Sequence, residues 1–167
     1  ASNVGMGPWT GGEASVLVDE PAKTRDAVEL EDLPMQDLLR QGMEVGHELL
    51  VASPYFIPRK RGVRWLAEIR ARGARVRVLT NSLAATDVAV AHAGYAKYRR
   101  ALLEAGVALH ELKPLKERSS WGPALAMGSS RASLHGKAVV FDRKAAYVGS
   151  MNLDPRSVLL NTEAGLI

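Results

Sequence analysis

A histidine and a lysine stand two positions apart, at His135 and Lys137, in a segment predicted to be a strand from residue 132 to 141. Side chains two apart on a strand point to the same face, so we expect these two to stand side by side. Imidazole can act near neutral pH as a nucleophile or a proton donor. The neighbouring ammonium supplies positive charge and up to three donors for a phosphate. The pair is therefore a candidate for binding and attacking an anionic group.

A short polar turn follows at Gly149, Ser150 and Asn152. The glycine is expected to free the backbone for a close approach, while the hydroxyl and the amide supply short donors. Backbone N–H groups in such a turn can also hold an anion. We predict a hairpin, with a turn at residues 142–144 and a strand at 145–149, that returns this turn to the His135–Lys137 strand. One phosphate could then touch both.

The combined pattern is His-x-Lys, four residues, Asp, six residues and Gly-Ser-x-Asn. It resembles the histidine–lysine–aspartate signature of the phospholipase D superfamily. The resemblance implies that two copies of the motif face each other: one His forms a phosphohistidine, and the other protonates the leaving alcohol. His135 would be the nucleophile or the general acid/base. Lys137, Ser150 and Asn152 would bind phosphate, with Lys137 and Asn152 neutralising the transition state. No metal or other cofactor is implied.

Three further residues are expected to support the motif. Asp142 is expected to stabilise the hairpin turn rather than to touch substrate. Glu163 lies on a predicted last strand, residues 162–167, where members of the superfamily often carry a carboxylate that orients a histidine; it is equally plausible as a surface residue. Gly149 is expected to support the turn by freeing the backbone for a close approach.

A second copy of the motif is missing from this sequence. The other histidines, His47, His92 and His110, have no lysine two positions later. The chain is therefore expected to hold half of a site, completed either by a second copy of the chain or by a missing N-terminal half. Because both ends read as cut, we expect a fragment of a two-motif protein.

Several other stretches resemble the second half of cardiolipin synthase-type proteins: residues 53–58, 79–87, 92–95, 152–157 and 161–163. The resemblance covers roughly residues 48–167. It implies a bacterial protein that moves a phosphatidyl group from a phosphatidylglycerol-like lipid to an alcohol, or to water in hydrolysis. Nucleic-acid phosphodiester cleavage by a homodimer is an alternative, although nucleic acid is the less expected partner. A catalytically inert half-domain that binds lipid or dimerises is another.

Four residues are possible substrate-pocket positions. Tyr55 and Trp121 could line an acyl or headgroup pocket, although the Tyr55 region is also expected to contribute to the core. Thr80 and Asn81 follow a predicted strand, at the edge where α/β proteins usually collect their ligands. Trp121 lies in a Pro/Gly/Ser-rich loop at residues 113–130, and loops of that length are often functional.

Composition and charge limit the partners. The net charge is +4, but residues 1–48 carry a balance of −7 and residues 49–167 a balance of +11. The basic part could face phosphates or an anionic membrane surface, or could simply be a solvated face. There is no cysteine, which excludes disulfides and thiol chemistry. No apolar run approaches the roughly 20 residues that span a bilayer. We expect a cytoplasmic protein, or one peripheral to the inner membrane.

Strands alternate with helices along the chain, which predicts an α/β fold: a mixed sheet flanked by helices on both faces. A flexible N-terminal segment, residues 1–15, should precede a single domain at 16–167. Helices are predicted at residues 34–46, 61–72 and 87–105. The remaining strands are predicted at residues 16–18, 48–53, 75–80 and 107–112.

Overall fold

Seven strands form one mixed sheet in the order β1-β7-β6-β5-β2-β3-β4. The computed structural model describes residues 12–19, 38, 40–42, 44–114 and 133–167. The strands are β1 (Val16–Val18), β2 (Glu48–Ala52), β3 (Arg75–Asn81), β4 (Ala108–Leu112), β5 (Lys137–Phe141), β6 (Ala145–Gly149) and β7 (Ala164–Leu166). The helices with described bounds are α1 (Arg59–Ala71), α2 (Ala89–Glu104) and α3 (Pro155–Leu159), and residues 38 and 40–42 are also helical.

The parallel part of the sheet is β2, β3 and β4, joined by α1 and α2. The remaining neighbours, β2–β5, β5–β6, β6–β7 and β7–β1, are antiparallel. Both connecting helices end before a glycine with positive φ, Gly73 at 95° and Gly106 at 79°, a backbone conformation that glycine adopts without a steric penalty. The predicted α/β class with a mixed sheet is confirmed.

The core lies on the sheet face that α1 and α2 cover. Alternate residues of β2 and β3 are buried there, and Leu66 of α1 and Leu102 of α2 pack into the same cluster. Strand alternation sends every second side chain to this face. The other sheet residues of the cluster are Leu49, Val51, Val76, Val78, Val139, Phe141 and Tyr147. The polar C-terminal end of β3 and the start of β5 lie at the same end of the sheet.

Strand β5 begins at Lys137 and not at residue 132, so the prediction that His135 shares the strand with Lys137 was wrong. The pairing explains the difference. The neighbour β2 pairs with β5 only as far as Ala52 opposite Ala138, and Pro54, which has no N–H, follows shortly afterwards. On the other side, β6 ends at Gly149 opposite Lys137. Among the strands of the described residues, none pairs with the segment that carries His135.

Other boundaries differ by a few residues. The helix predicted at 61–72 covers 59–71, the one predicted at 87–105 covers 89–104, and residues 44–46 are not helical. Strand β4 begins at 108, and β7 covers 164–166, so Glu163 precedes the strand. Helix α3 was not predicted, although Asp154 and Pro155 supply a cap and a first helical residue. Trp121 and the loop around it lie outside the described residues.

The N-terminal segment predicted at residues 1–15 is described only from residue 12. Ser15 exchanges two backbone hydrogen bonds with Ile167, at 2.8 and 3.0 Å, which attaches this residue to the sheet beside β7. None of the helices in the described part of the chain is long and apolar enough to cross a bilayer.

Candidate active site

The hairpin of β5 and β6 brings the two parts of the motif together. Lys137, the first residue of β5, lies opposite Gly149, the last residue of β6, and Ser150 follows directly. His135 is exposed just before β5. The Lys137 Nζ donates to the carbonyl oxygen of His135 at 2.8 Å. The predicted return of the Gly-Ser turn to the His-Lys segment is therefore what the structure has.

Asn81 holds the backbone beside His135. Its Nδ2 donates to the carbonyl oxygen of Leu134 at 3.1 Å, and the Leu134 N–H donates to its Oδ1 at 2.8 Å. The amide side chain thus bonds both backbone groups of Leu134, as a neighbouring strand would. Asn81 is buried at the end of β3. We expected it as a possible substrate contact, but both ends of its amide are used to fix Leu134.

Thr80 is also hydrogen-bonded within the fold. It is buried, and its hydroxyl donates to the carbonyl oxygen of Pro54 at 3.2 Å. Pro54 lies just after β2, so this bond joins the ends of two neighbouring parallel strands. The hydroxyl donor of Thr80 is thus used within the fold, and its role in a substrate pocket stays a prediction.

Ser150 is bonded to the segment that leads into β7. Its hydroxyl donates to Glu163 Oε2 at 2.5 Å and accepts from the Ala164 N–H at 3.0 Å. The second carboxylate oxygen of Glu163 accepts from Asn161 Nδ2 at 3.3 Å. The carboxylate that was expected to orient a histidine therefore contacts Ser150 and Asn161. A phosphate that binds the Ser150 hydroxyl must compete with Glu163.

Asn152 lies at the buried end of the turn. Its backbone N–H donates to the Ser157 hydroxyl at 3.2 Å. Its side-chain Oδ1 is buried and has no hydrogen-bond partner among the described residues. Burying an unpaired amide oxygen costs stability. A half-turn of the amide would direct Nδ2 donors at the same position, which is the group that an anion requires.

Two bonds hold this turn against the end of β2. The Leu153 N–H donates to the Ser53 hydroxyl at 3.1 Å, and that hydroxyl donates to the carbonyl oxygen of Tyr55 at 2.9 Å. The Ile57 N–H donates to the carbonyl oxygen of Leu153 at 2.8 Å. Sequence reasoning did not single out Ser53, because the bond that joins it to this turn comes from Leu153, 100 residues away.

Asp142 stabilises the hairpin turn by binding the start of β2. Its carboxylate accepts backbone N–H bonds from Glu48 at 2.7 Å, His47 at 2.8 Å and Gly46 at 2.9 Å. These bonds lower the pKa of Asp142 to about 2, the bond from Glu48 contributing most. Asp142 and Arg143 both have positive φ, 51° and 57°. Asp142 therefore stabilises the turn that follows β5, at the end of the strand remote from His135.

Position 149 needs a small residue because an aromatic ring lies against it. A Cβ atom at Gly149 or at Gly165 would lie well inside van der Waals contact with the ring of Tyr147. The φ angle of Gly149 is not in the positive range that favours glycine. The predicted reason, a freed backbone, is thus replaced by a steric one: the buried tyrosine needs the space.

Tyr55 is joined to Asp87. Its hydroxyl donates to the two carboxylate oxygens, at distances of 2.8 and 3.0 Å. Partial burial raises the pKa of Tyr55, and the Asp87 carboxylate raises it further. Tyr55 follows β2 and Asp87 precedes α2, so the pair lies beyond the strand ends on the motif side of the sheet. Sequence reasoning placed Asp87 only near a helix start and did not pair it with Tyr55.

No metal-binding cluster accompanies these groups. Across the described ranges, from residue 12 to 167 with their gaps, no group of three or more His, Asp and Glu is placed to hold a metal ion. The motif itself contributes the exposed His135 imidazole, the Lys137 ammonium and the buried Asn152 amide.

A protein-family model and several known proteins match most of this chain. Residues 36–167 match the family model described as cardiolipin synthase, PLD-like domain. The sequence is 42% identical over 161 residues to cardiolipin synthase C of Escherichia coli (strain K12), covering 96% of this chain and 34% of that protein. Cardiolipin synthase B of the same strain is 30% identical over 156 residues, covering 93% and 32%. The chain spans about a third of the length of these relatives.

Solved structures share the fold. NucT from Helicobacter pylori superposes with a TM-score of 0.62 at 20% identity, covering 92% of this chain and 83% of that one. A phosphatidylserine synthase from Haemophilus influenzae gives 0.60 at 16% identity, covering 92% and 34%. The phospholipase D family member Nuc from Salmonella typhimurium gives 0.59 at 16% identity, covering 92% and 82%.

The fold and the motif together define an α/β domain of the phospholipase D class. Within that class, the family match over residues 36–167 and the relative at 42% identity show that the chain belongs to the cardiolipin synthase, PLD-like domain family.

Proposed function

We propose that this chain supplies half of a phosphodiester-transfer site that acts on phospholipids. The observation that carries the proposal is the pairing of Lys137 with Gly149 across the β5–β6 hairpin, which brings the segment that ends in Lys137 to the Gly-Ser turn, in a chain of this family. Lys137 provides the positive charge, and Asn152 provides a buried amide beyond the Gly-Ser turn. These are the groups that a phosphate in transfer requires.

The reaction runs in two displacements. In the first, one histidine attacks phosphorus, the bond from phosphorus to the leaving alcohol breaks, and the other histidine protonates the departing oxygen. In the second, that histidine removes the proton of an incoming alcohol, whose oxygen displaces the phosphohistidine. The acceptor is the hydroxyl of a second glycerophospholipid in transfer, or water in hydrolysis. His135 performs one of the two histidine roles.

The second motif is supplied by another chain segment or by a second copy of this chain. The sequence holds one His-x-Lys pair, and the mechanism needs two histidines. His135 is exposed, which suits an imidazole that must share a phosphate with a partner. The 42% identical relative bears the name cardiolipin synthase C, and this supports a phosphatidylglycerol-like substrate and a place at the inner membrane.

The test is an assay of the full-length gene product on two substrates in parallel, fluorescent phosphatidylglycerol in vesicles and single-stranded DNA. We expect a cardiolipin-like product or phosphatidic acid from the lipid, and no DNA cleavage. Cleavage of DNA alone would replace the lipid proposal with a nucleic-acid phosphodiesterase. Absence of turnover on both would favour an inert half-domain.

A further inference from the structure

An open groove of about 770 Å³ lies between α1 and α3, next to the residues that follow the motif. Its walls come from the Ile57–Pro58 turn, the outer face of α1 and the Leu153–Leu159 stretch. A groove of this size is within the range of ligand sites. The apolar side chains that line it include Ile57, Pro58, Trp65, Leu153, Val158 and Leu159.

Arginines form the rim of this groove. Arg59, Arg61 and Arg64 of α1 line it and are exposed, and Arg40 lines it as well. The acidic side chains there are Glu68 and Asp154, and Asp154 Oδ1 accepts from the Arg156 and Ser157 N–H groups, at 2.7 and 3.2 Å. The rim therefore carries a clear excess of positive charge.

Arg59, Arg61 and Arg64 have no carboxylate partner in the part of the chain that the structure describes. Other arginines do: Arg77 and Arg143 bind Glu48 at 2.6 and 3.0 Å, and Arg99 binds Glu111 at 2.9 Å. Cations in the first turn of a helix also oppose the helix dipole, and α1 has no acidic residue there to compensate. The helix dipole thus gives no reason for Arg59 and Arg61.

A cationic rim above an apolar floor fits an anionic amphiphile. Apolar walls have no partner in a nucleic-acid backbone, whereas an acyl chain would bury them, and guanidinium groups match phosphate geometry. Leu159 is 43% exposed, so apolar surface remains available for such a ligand. Arg and Trp side chains beside apolar residues are typical of surfaces that lie at a membrane interface.

The groove is distinct from the His135 site but contiguous with it. Its wall begins at Leu153, one residue after Asn152, and the Ile57 N–H bonds the Leu153 carbonyl oxygen at 2.8 Å. We infer that the groove docks an anionic phospholipid of the bilayer, with the phosphate at the Arg59–Arg61–Arg64 rim and an acyl chain between α1 and α3. The inference goes beyond the proposed reaction, because it concerns where the lipid surface is held and not which bond is broken.

The experiment measures vesicle co-sedimentation of the full-length protein with phosphatidylcholine alone and with phosphatidylcholine containing phosphatidylglycerol. The triple variant Arg59→Gln, Arg61→Gln, Arg64→Gln is compared with a charge-matched control, Lys97→Gln, Lys113→Gln, Lys144→Gln, whose lysines are exposed elsewhere. Each basic residue at an anionic surface is worth roughly fivefold in affinity, so we expect the arginine triple to weaken binding about 100-fold and the control much less.

A second variant, Leu159→Asp, keeps the arginines and tests the apolar wall. We expect a loss of about tenfold in binding to the anionic vesicles. All substituted side chains are exposed, and thermal unfolding checks that each variant is folded. Equal losses in the two triples, or unchanged binding by Leu159→Asp, would overturn the inference. So would self-association that the arginine triple abolishes, which would assign the groove to a second copy.

Vesicle binding by the groove can be tested separately from the proposed reaction at His135. His135→Ala is included in the same assay, and it should bind anionic vesicles as tightly as the unaltered protein. Vesicle binding without lipid turnover would uphold the docking groove and reject the proposed reaction, and turnover without groove-dependent binding would do the opposite.

Discussion

Asn81 and Leu134 exchange two hydrogen bonds across 53 residues of sequence, one from Nδ2 to the Leu134 carbonyl oxygen and one from the Leu134 N–H to Oδ1. A single amide side chain thereby completes both backbone groups of the residue that precedes His135. The position of the imidazole depends on this contact, because the segment is outside the β5 ladder.

Replacing Asn81 with Ala should lower kcat of the full-length protein by about 10- to 100-fold, because small displacements of a reacting group are costly. KM should change little, since the Asn81 amide is bonded to the Leu134 backbone. Unfolding should also become easier, by about 1–3 kcal/mol, as the backbone bonds are lost. Steady-state kinetics and urea unfolding give the three values.

The control for Asn81 is Val107→Ala, a buried core change before β4, away from the motif. It should cost comparable stability while kcat stays unchanged. If the two variants lose kcat in proportion to their stability, Asn81 serves the fold alone and does not position His135.

Replacing Asp142 with Asn should destabilise the chain by about 1–3 kcal/mol at pH 7, because three N–H groups lose a charged acceptor. Asparagine tolerates the left-handed backbone of the turn, so the change removes the charge and one accepting oxygen without straining the backbone. Urea unfolding at several pH values measures the difference. Glu104→Gln, which removes an exposed i,i+4 partner of Arg100, is the control and should cost under about 0.5 kcal/mol.

The same pair of proteins tests the pKa of Asp142. Its folded-state pKa of about 2 lies below the ordinary value of 3.8, so the charged carboxylate is stabilised by folding. The contribution of this carboxylate to stability is present at pH values above 3.8 and is lost as the pH falls through about 2. The stability difference between the parent chain and Asp142→Asn should be constant from pH 7 to 5 and shrink from pH 4 to 2. A difference that does not vary with pH would contradict the three-bond account.

Replacing Gly149 with Ala should destabilise the fold by about 1–3 kcal/mol, because the added methyl meets the Tyr147 ring. Gly136→Ala is a matched control within the same motif: its Cβ would meet nothing within 4 Å, and it should be close to neutral. Thermal or urea unfolding of both variants measures the contrast.

A double-mutant cycle with Tyr147→Leu locates the cause. The smaller side chain should recover part of the loss in Gly149→Ala, although the Ala164 carbonyl oxygen also crowds the site. Additive losses in the double variant would show that the ring is not what restricts residue 149.

The motif residues and the hairpin that joins them could be predicted from sequence, because spacing along a strand and across a tight turn is a local property. The start of β5 could not, since it depends on where β2 and β6 end. Helix α3 was missed although Asp154 and Pro155 are local signals for it.

Roles that depend on distant contacts were the least predictable. Thr80 and Asn81 were correctly placed at a strand end, but the bonds that occupy them reach Pro54 and Leu134. The packing of Tyr147 on Gly149 is likewise invisible in the motif itself. Local sequence therefore specified which chemical groups are present, and tertiary contacts determined which of them remain available to a ligand.

The central claim is that, in the proposed phosphodiester transfer, the His135 imidazole either attacks phosphorus or transfers the proton of the leaving and incoming alcohols. The most direct measurement compares kcat on phosphatidylglycerol for the full-length protein, His135→Ala and the control His110→Ala, whose imidazole is exposed on β4. We predict a loss of about 100- to 10,000-fold for His135→Ala and none for His110→Ala. Undiminished turnover by His135→Ala would contradict the account.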